Sequence, residues 1–217
     1  MEEVNCPDCE SDNNTEVFVT KFKKIQESLW PTEKDIKGAA LAIFRIINLY
    51  RLNITELMLG NIKNYTTSPM TTKEVFQISH VASDENMIYD EIVWLQALYK
   101  LFKENRIEKG VYSLEHIDRS LASAYSRYGM PWESLKYIQE CLETKPDNKG
   151  CLRDKVYYEM KVKDIPATSR EKKLEKENKT EDKIKYEALC RGDKLLSDTA
   201  VARQNVSFVQ CRFLTKD

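Results

Sequence analysis

The sequence predicts an all-α protein built from tetratricopeptide-like (TPR-like) helical hairpins, with a helical extension at the N-terminal end and a short extension at the C-terminal end. Three observations support this fold class. Apolar residues recur every three or four positions, as on one face of a helix. Glycine and proline number only six each in 217 residues. Between Leu114 and Pro146, small and apolar residues also fall at the offsets of a tetratricopeptide-type helix–turn–helix.

The N-terminal part is predicted to be a disordered tail over residues 1–15, followed by a helical region over residues 16–68. One amphipathic helix covers Glu16–Leu29, and a longer one, with Thr32 as its N-cap, covers Glu33–Leu52. The apolar face of the longer helix is wide, so we expect most of it to be buried. That face comprises Ile36, Ala39, Ala40, Ile43, Phe44, Ile46, Ile47 and Tyr50.

Cys6 and Cys9 form a lone C-x-x-C in the tail. A zinc site would need a second pair at close range, and the other cysteines lie more than a hundred residues away. We therefore interpret the pair as incidental cysteines of an exposed tail or as a local disulfide.

Residues 69–163 are predicted to form the TPR-like domain. Its first hairpin lies within Thr72–Asn105, with a turn at residues 84–86, and a long linker precedes the second hairpin. In the second hairpin Ala122 and Ser134 are small because the two helices cross there. Gly129 supplies a positive φ after the first helix, and Pro146 stops the second.

A capping helix is predicted over residues 148–162, with Leu152, Val156, Tyr157 and Met160 on its packed face. Cys141 and Cys151 fall on helices that pack together. Two buried thiols are the default expectation, and a disulfide is the alternative. Residues 164–185, rich in Lys and Glu, form a charged linker, and structured sequence resumes over 186–217.

Composition narrows the classes of function. A net charge of −1 excludes a nucleic-acid footprint, and no apolar run approaches a membrane span. No signal peptide is visible in the acidic, polar start. Five N-x-S/T sequons, at Asn13, Asn53, Asn64, Asn178 and Asn205, together with six cysteines, indicate a secretory-pathway ancestry with a missing or truncated start. The alternative is a cytosolic chain with chance sequons.

Three segments together resemble the alpha subunit of animal collagen prolyl 4-hydroxylase. The first runs from Trp30-Pro31-Thr32-Glu33 through Leu49-Tyr50-Arg51-Leu52, the second is the helical-repeat region including Trp94, and the third is the stretch Tyr186–Gly192. The resemblance extends from about Phe18 to Phe213.

The resemblance implies residence in the lumen of the endoplasmic reticulum and pairing with protein disulfide isomerase as the beta subunit. It also implies an N-terminal dimerisation segment, most of which this sequence lacks, a peptide-substrate-binding domain at residues 69–163, and a C-terminal dioxygenase domain of which residues 186–217 would be the truncated start. That dioxygenase uses Fe(II), 2-oxoglutarate, O₂ and ascorbate. A disulfide between Cys190 and Cys211 is implied at the entry to the catalytic domain. Asn53, Asn64, Asn178 and Asn205 are the glycosylation candidates in such a compartment.

The catalytic chemistry of the family has no visible basis in this sequence. Its iron needs two histidines and a carboxylate, and the chain holds only His80 and His116. His116-Ile117-Asp118 spells H-x-D, but no histidine follows it, and side chains two positions apart on a helix do not share a face. We interpret them as surface residues of a repeat helix, and expect no metal, no catalytic residue and no cofactor on this chain.

The predicted peptide groove also departs from the family. Three tyrosines of the family's groove, nine, six and three positions before the turn glycine, correspond to Ser120, Ser123 and Ser126. Arg119 and Arg127 flank this stripe. Tyr125 is expected in the core, Tyr128 could face either way, and the pair Tyr157 and Tyr158 of the capping helix could offer one ring to a peptide.

Three functions follow from the resemblance and its departures. The first is a non-catalytic peptide-binding module for a peptide or protein ligand, either proline-rich as in the family or, with altered specificity, less proline-rich or more acidic given Arg119 and Arg127. The second is a fragment of a full Fe(II)/2-oxoglutarate prolyl 4-hydroxylase. The third is a TPR-like assembly scaffold.

Overall fold

A computed structural model describes residues 13–29, 31–176 and 179–193. The described residues form nine α-helices, a 3₁₀ turn and one two-stranded hairpin, which confirms the all-α fold class. The elements are, in chain order, α1 (Asn13–Leu29), α2 (Glu33–Tyr50), α3 (Ile54–Met58), β1 (Asn61–Ile62), β2 (Tyr65–Thr66), α4 (Thr72–Asp84), α5 (Ile88–Lys103), α6 (Leu114–Arg127), α7 (Pro131–Thr144), α8 (Lys149–Lys163), the 3₁₀ turn (Ala167–Glu171) and α9 (Glu181–Arg191). The chain divides between Ala39 and Ala40 into two compact units.

In the first unit, helix α1 begins three residues earlier than predicted, inside the expected tail. Residues 1–12, with Cys6 and Cys9, lie outside the described residues. The α1 side chains described by the structure include five exposed apolar ones: Val17, Phe18, Val19, Phe22 and Ile25. At the start of α2 the Asp35 carboxylate accepts hydrogen bonds from the N–H and O–H of Thr32, each 2.7 Å long. These bonds hold the pKa of Asp35 below its usual range.

The second unit begins with the remainder of α2, whose buried side is narrower than predicted. Ala40, Phe44 and Ile47 are buried, whereas Ile46 is exposed, and in the first unit so is Ile36. The Phe44 ring packs edge-on against Trp94 of α5, with ring centroids 5.7 Å apart. Only one narrow side of α2 is buried, and two residues of the predicted apolar face are exposed. The prediction of a wide buried face was therefore wrong.

The segment predicted as a polar loop after α3 contains the short β hairpin. Asn61 pairs with Thr66 and Ile62 with Tyr65 in antiparallel register. Gly60 precedes the hairpin with φ of +81°, a conformation that favours glycine. Two backbone hydrogen bonds, from Thr67 to Gly60 and from Met70 to Met58, tie the hairpin back to α3.

Helices α4 and α5 form the first predicted hairpin. Thr71 and Glu74 form a complete capping box, in which each side chain bonds to the other residue's backbone N–H, and this fixes the start of α4. The chain then reverses through Asn86, which has φ of +57°. The hairpin's buried apolar side chains belong to one large core, in the second unit: Val75, Phe76, Ile78, Ala82, Ile92, Trp94, Leu95, Leu98, Leu101 and Phe102.

Helices α6 and α7 form the second hairpin in the way that the spacing of small residues predicts. Ala122 and Ser134 are both fully buried, and the Ser134 hydroxyl donates a 2.6 Å hydrogen bond to the Ala122 carbonyl. Gly129 has φ of +87°, as expected after a helix end. Tyr125 is buried, its ring stacked on Tyr137 with centroids 5.7 Å apart. These contacts confirm the predicted hairpin, while the assignment to the tetratricopeptide repeat stays a prediction.

Helix α8 caps the second hairpin, but with a different face from the one predicted. Cys151, Tyr158 and Val162 are its buried residues. The four residues that we expected on the packed face are all exposed: Leu152, Val156, Tyr157 and Met160. The physical reason is a disulfide between Cys141 of α7 and Cys151, with Cα atoms 6.4 Å apart, which turns the Cys151 side of α8 toward α7. The default expectation of two buried thiols was therefore wrong.

The residues after α8 pack against helices of the second unit, to which they belong. We call residues 167–176 the strap. Its contacts with the helices include a hydrogen bond from the Tyr128 hydroxyl to the Glu175 carbonyl, 2.8 Å long, and Leu174 packs against the large core. Helix α9 begins within the predicted charged linker, five residues before position 186. Arg191 of α9 donates a 2.9 Å hydrogen bond to the Leu49 carbonyl at the end of α2.

Candidate functional site

A shallow depression of about 340 Å³ lies between α4, α5 and α6, where the sequence predicts a peptide groove. Helix α6 contributes three of the predicted residues: Ser120, Ser123 and Arg127. The other two helices contribute the rest of the lining: Phe76, Ser79, His80, Ser83, Glu91 and Leu95. The structure therefore brings three of the eight predicted groove residues together in this depression, and it adds side chains from α4 and α5 that the sequence did not indicate.

Four serines give the depression its chemical character. On each of α4 and α6, two serines lie three or four positions apart, so they share one side of their helix: Ser79, Ser83, Ser120 and Ser123. Two of the hydroxyls donate within their own helix, from Ser79 to the Phe76 carbonyl at 2.9 Å and from Ser120 to the His116 carbonyl at 2.8 Å. The lining is therefore rich in hydroxyl groups, and α6 contributes no aromatic ring to it.

An ion pair lies beside these serines. Arg127 Nη2 is 2.5 Å from Oε1 and 2.7 Å from Oε2 of Glu91, whose side chain is only 8% exposed. Burial raises the pKa of Glu91, and the Arg127 guanidinium opposes that rise. Because the Glu91 carboxylate balances it, the charge of Arg127 is not free for an acidic ligand.

Arg119, the other predicted arginine, faces α8 instead of the depression. Its Nε lies 2.7 Å from Asp154 Oδ2, so this positive charge is balanced as well. Preference for acidic peptides was predicted from these two arginines, and neither supplies the unpaired positive charge that the prediction requires.

Ser126 also faces α8. The Lys161 ammonium donates a 3.1 Å hydrogen bond to the Ser126 hydroxyl and lies 4.8 Å from the centroid of the Tyr157 ring. Tyr157 is half exposed, so its ring remains accessible from solvent beside α6. Ser126, Lys161 and Tyr157 thus form a second polar contact between α6 and α8.

The two remaining tyrosines do not serve the groove as predicted. Tyr158 is buried in a small core with the Cys141–Cys151 disulfide, which leaves no ring face for a peptide. Tyr128 is the C-cap of α6, and the Lys172 ammonium lies 4.4 Å from its ring centroid. Since the strap covers its ring, Tyr128 is not a groove residue in this conformation.

The residues present do not fit the iron site of a 2-oxoglutarate dioxygenase. His116 is exposed, whereas Asp118 is completely buried, so the two side chains leave α6 on different faces. The expectation that Asp118 lies at the surface was therefore wrong. Across the part of the chain that the structure describes, no cluster of three or more His, Cys, Asp or Glu side chains could hold a metal ion.

Two of the glycosylation candidates are described by the structure, and both are exposed. Asn53 is the N-cap of α3, where its side-chain oxygen accepts a 3.2 Å hydrogen bond from the Glu56 N–H. Asn64 lies in the turn of the β hairpin. Asn178 and Asn205 lie outside the described residues. So does Cys211, and its predicted disulfide with Cys190 stays a prediction.

No described helix is long and apolar enough to cross a membrane.

Comparisons with known proteins give consistent matches. Residues 9–64 match the family described as "Prolyl 4-Hydroxylase alpha-subunit, N-terminal region". The chain is similar to human prolyl 4-hydroxylase subunit alpha-3, with 30% identity over 72% of the chain and 31% of the relative. The bovine alpha-3 subunit is 28% identical over 84% of the chain and 37% of the relative, and the Caenorhabditis elegans alpha-1 subunit is 26% identical over 85% and 34%. The chain thus spans about a third of the length of these curated relatives.

Proposed function

Because this chain carries the N-terminal region of prolyl 4-hydroxylase alpha subunits, we propose that it is a non-catalytic peptide- or protein-binding module whose groove lies between α4 and α6. The observation that carries this proposal is the open depression of about 340 Å³, with Ser120 and Ser123 in its lining. A helical array that presents such a depression along its first helices suits an extended peptide.

The lining favours a ligand poorer in proline than collagen-like peptides. Each aromatic ring that stacks on a ligand contributes roughly 0.5–1.5 kcal/mol beyond area burial, and the serines contribute no stacking. The hydroxyls of Ser83 and Ser123 can instead donate to, or accept from, the backbone of an extended peptide. The paired charges of Glu91 and Arg127 make the groove close to neutral.

The proposal predicts that rings restored at these positions strengthen binding of proline-rich peptides. In the double variant S120Y/S123Y, the dissociation constant for a (Pro-Pro-Gly)-repeat peptide should fall about tenfold, because two stacking contacts add on the order of 1–3 kcal/mol. Isothermal titration calorimetry measures this change. The matched control is S68Y/S169Y, which places the same two rings at exposed serines outside the groove and should leave the constant unchanged.

The natural chain must also bind a peptide. Titration with proline-rich, acidic and neutral polar peptides, followed by heat and by amide chemical shifts of the groove residues, should show binding by at least one of them, with the neutral polar peptide binding more tightly than the acidic one. If none of the three produces heat or shift changes in the natural chain, the binding module is rejected.

A second candidate function is that of a piece of a complete prolyl 4-hydroxylase, and the observation favouring it is that the chain spans about a third of its relatives. A transcript that continues past Asp217 into an H-x-D…H segment would support this candidate. A genuine stop codon there would contradict it.

We also propose residence in the lumen of the endoplasmic reticulum and assembly with protein disulfide isomerase, as the family resemblance implies. The Cys141–Cys151 disulfide supports an oxidising compartment, and the exposed Asn53 and Asn64 are accessible to glycosylation. Co-expression and co-purification with protein disulfide isomerase would test the partnership. Purification with other chains in its place would favour the assembly scaffold.

A further inference from the structure

Helix α8 carries an apolar stripe on the side that faces away from α7. Leu152, Val156 and Met160 follow one another at four-residue spacing and are 45%, 58% and 66% exposed. At 1.5 Å rise per residue the stripe is about 12 Å long, or slightly more than two turns. None of these three side chains belongs to either hydrophobic core of the described residues.

The position of α8 makes this stripe unusual. It is the last helix of the α4–α8 array, and terminal helices of helical arrays normally present a polar outer face to water. Here the inner face already contains the Cys141–Cys151 disulfide and the buried Tyr158, so the outer stripe is not needed for packing within the array. An apolar outer face on an end helix is the surface on which a further helix would pack.

The rim of the stripe is basic. Lys149 and Lys163 lie at its two ends on the same side of the helix, and Arg153 lies beside it. Neither lysine forms an ion pair with any residue that the structure describes. Arg153 lies 3.6 Å from Asp154, and Lys155 lies 3.8 Å from Glu159, so these two positive charges are balanced. The surface therefore combines an apolar centre with uncompensated positive charge at both ends.

We propose that this face of α8 is a docking surface for an amphipathic helix of another protein, one whose apolar stripe is bordered by Asp and Glu. Charge complementarity selects this occupant. In an antiparallel pairing of two α8 helices about Val156, Lys149 of one copy would meet Lys163 of the other, so a second copy is disfavoured. Helix α1 is no better as an occupant, because Lys21, Lys23 and Lys24 border its apolar residues.

The test uses the whole chain and two designed 20-residue helical peptides as probes. Both peptides carry leucines at four-residue spacing; one has glutamate beside the leucines and the other has lysine at the same positions. In fluorescence anisotropy titrations the glutamate peptide should bind at least about tenfold more tightly than the lysine peptide. V156D should weaken binding of the glutamate peptide by about tenfold or more, while the control V111D, which changes an exposed valine between α5 and α6, should leave it unaltered.

A charge swap provides a second variant that keeps the apolar stripe. K149E/K163E should reverse the preference between the two peptides. Equal binding of both peptides, or a V156D protein that binds like the natural chain, overturns the proposal. Concentration-dependent self-association in sedimentation velocity that V156D abolishes would assign the face to a second copy, and flotation with phosphatidylserine vesicles that V156D abolishes would assign it to a lipid surface. Either result also overturns the proposal.

Discussion

Asp118 is a carboxylic acid buried in the helical core of the second hairpin. Its side chain is completely inaccessible, and neither of its oxygens has a hydrogen-bond partner in the described part of the chain. Burial raises the pKa of Asp118 from 3.8 to about 7; the negative charges of Glu140 and Glu115 also raise this pKa, and Lys103 opposes them. The folded chain therefore holds this proton more tightly than the unfolded chain does.

This shift predicts a dependence of stability on pH. Between about pH 4 and pH 7 the folded state retains a proton that the unfolded state releases, so the free energy of unfolding falls as the pH rises and levels off above pH 7. D118N removes the titration. The melting temperature of D118N minus that of the natural chain should therefore increase from pH 4 to pH 7. The corresponding difference in the free energy of unfolding is at most about 4 kcal/mol, at about 1.4 kcal/mol per pKa unit.

Thermal unfolding followed by circular dichroism at pH 4, 5.5, 7 and 8 measures this difference. The control D147N changes an exposed carboxyl group in the α7–α8 connection, to which solvent has access in the folded and unfolded chain. Its difference from the natural chain should vary far less with pH. A D118N difference that is constant from pH 4 to pH 8 would show that Asp118 is ionised in the folded protein.

Helices α7 and α8 are joined covalently as well as by packing. The Cys141–Cys151 disulfide closes a loop of ten residues in sequence, and both cysteines are fully buried beside Ala122 and Ile138. A cross-link restricts the unfolded chain, and for a loop of this length it contributes about 2.5–3 kcal/mol. The bond lies on the buried side of α8, together with Tyr158.

Loss of the disulfide should therefore lower stability in a way that reductant reproduces. Dithiothreitol should lower the melting temperature of the natural chain by several degrees. C141S/C151S should melt lower than the oxidised natural chain, and dithiothreitol should lower its melting temperature much less than that of the natural chain. Because this variant keeps Cys6, Cys9, Cys190 and Cys211, a continued response to reductant would show that another disulfide carries the effect.

Helix boundaries could be predicted from sequence, but the buried faces could be predicted only in part. Periodicity and turn residues located α4, α5, α6 and α7 to within a few residues, because capping and positive-φ turns are local. Helix α8 has two sets of apolar residues with helical spacing, and either could form its buried face. One set is Leu152, Val156 and Met160, and the other is Cys151, Tyr158 and Val162. Hydrophobicity favoured the wrong set, since nothing local indicates which side a disulfide will hold inward.

The candidate site shows the same limit. Ser120 and Ser123 were predicted because the family that the sequence resembles places groove tyrosines at the same offsets from the turn glycine, here Gly129. Ser79 and Ser83 of α4 line the same depression, but two serines in a helix give no sequence signal. The pairing of Arg127 with Glu91 spans 36 positions in the chain, so only the tertiary arrangement of α5 and α6 reveals it.

Across the whole second unit, the strap joins parts of the chain that are far apart in sequence. Tyr128 bonds to the backbone of Glu175, and the Lys172 ammonium donates to the Tyr128 carbonyl at 2.8 Å. Lys176 donates to Asn48 near the end of α2 and lies 3.7 Å from the Asp90 carboxylate at the start of α5. The composition of this segment predicts a solvated charged linker, but the strap contacts three helices, α2, α5 and α6.

Tyr128 should control how firmly the strap is held. Y128A removes the two hydrogen bonds to Glu175 and the ring beneath Lys172, so trypsin should cleave after Lys172, Lys173 or Lys176 about five- to tenfold faster. Mass spectrometry of timed digests measures the rate. Y65A, which truncates an exposed tyrosine of the β hairpin, should leave it unchanged. Equal rates for Y128A and the natural chain would show that Tyr128 does not hold the strap.

The attachment of the strap also bears on where the chain can be shortened. The repeat pattern suggests a natural stopping point at Lys163, the end of α8. A protein ended there would leave Tyr128 and Asp90 without their lysine and backbone partners, and would uncover the core surface beneath Leu174. Fragments made for crystallisation or for magnetic resonance should therefore extend past Gly192, where α9 is already anchored to α2 through Arg191.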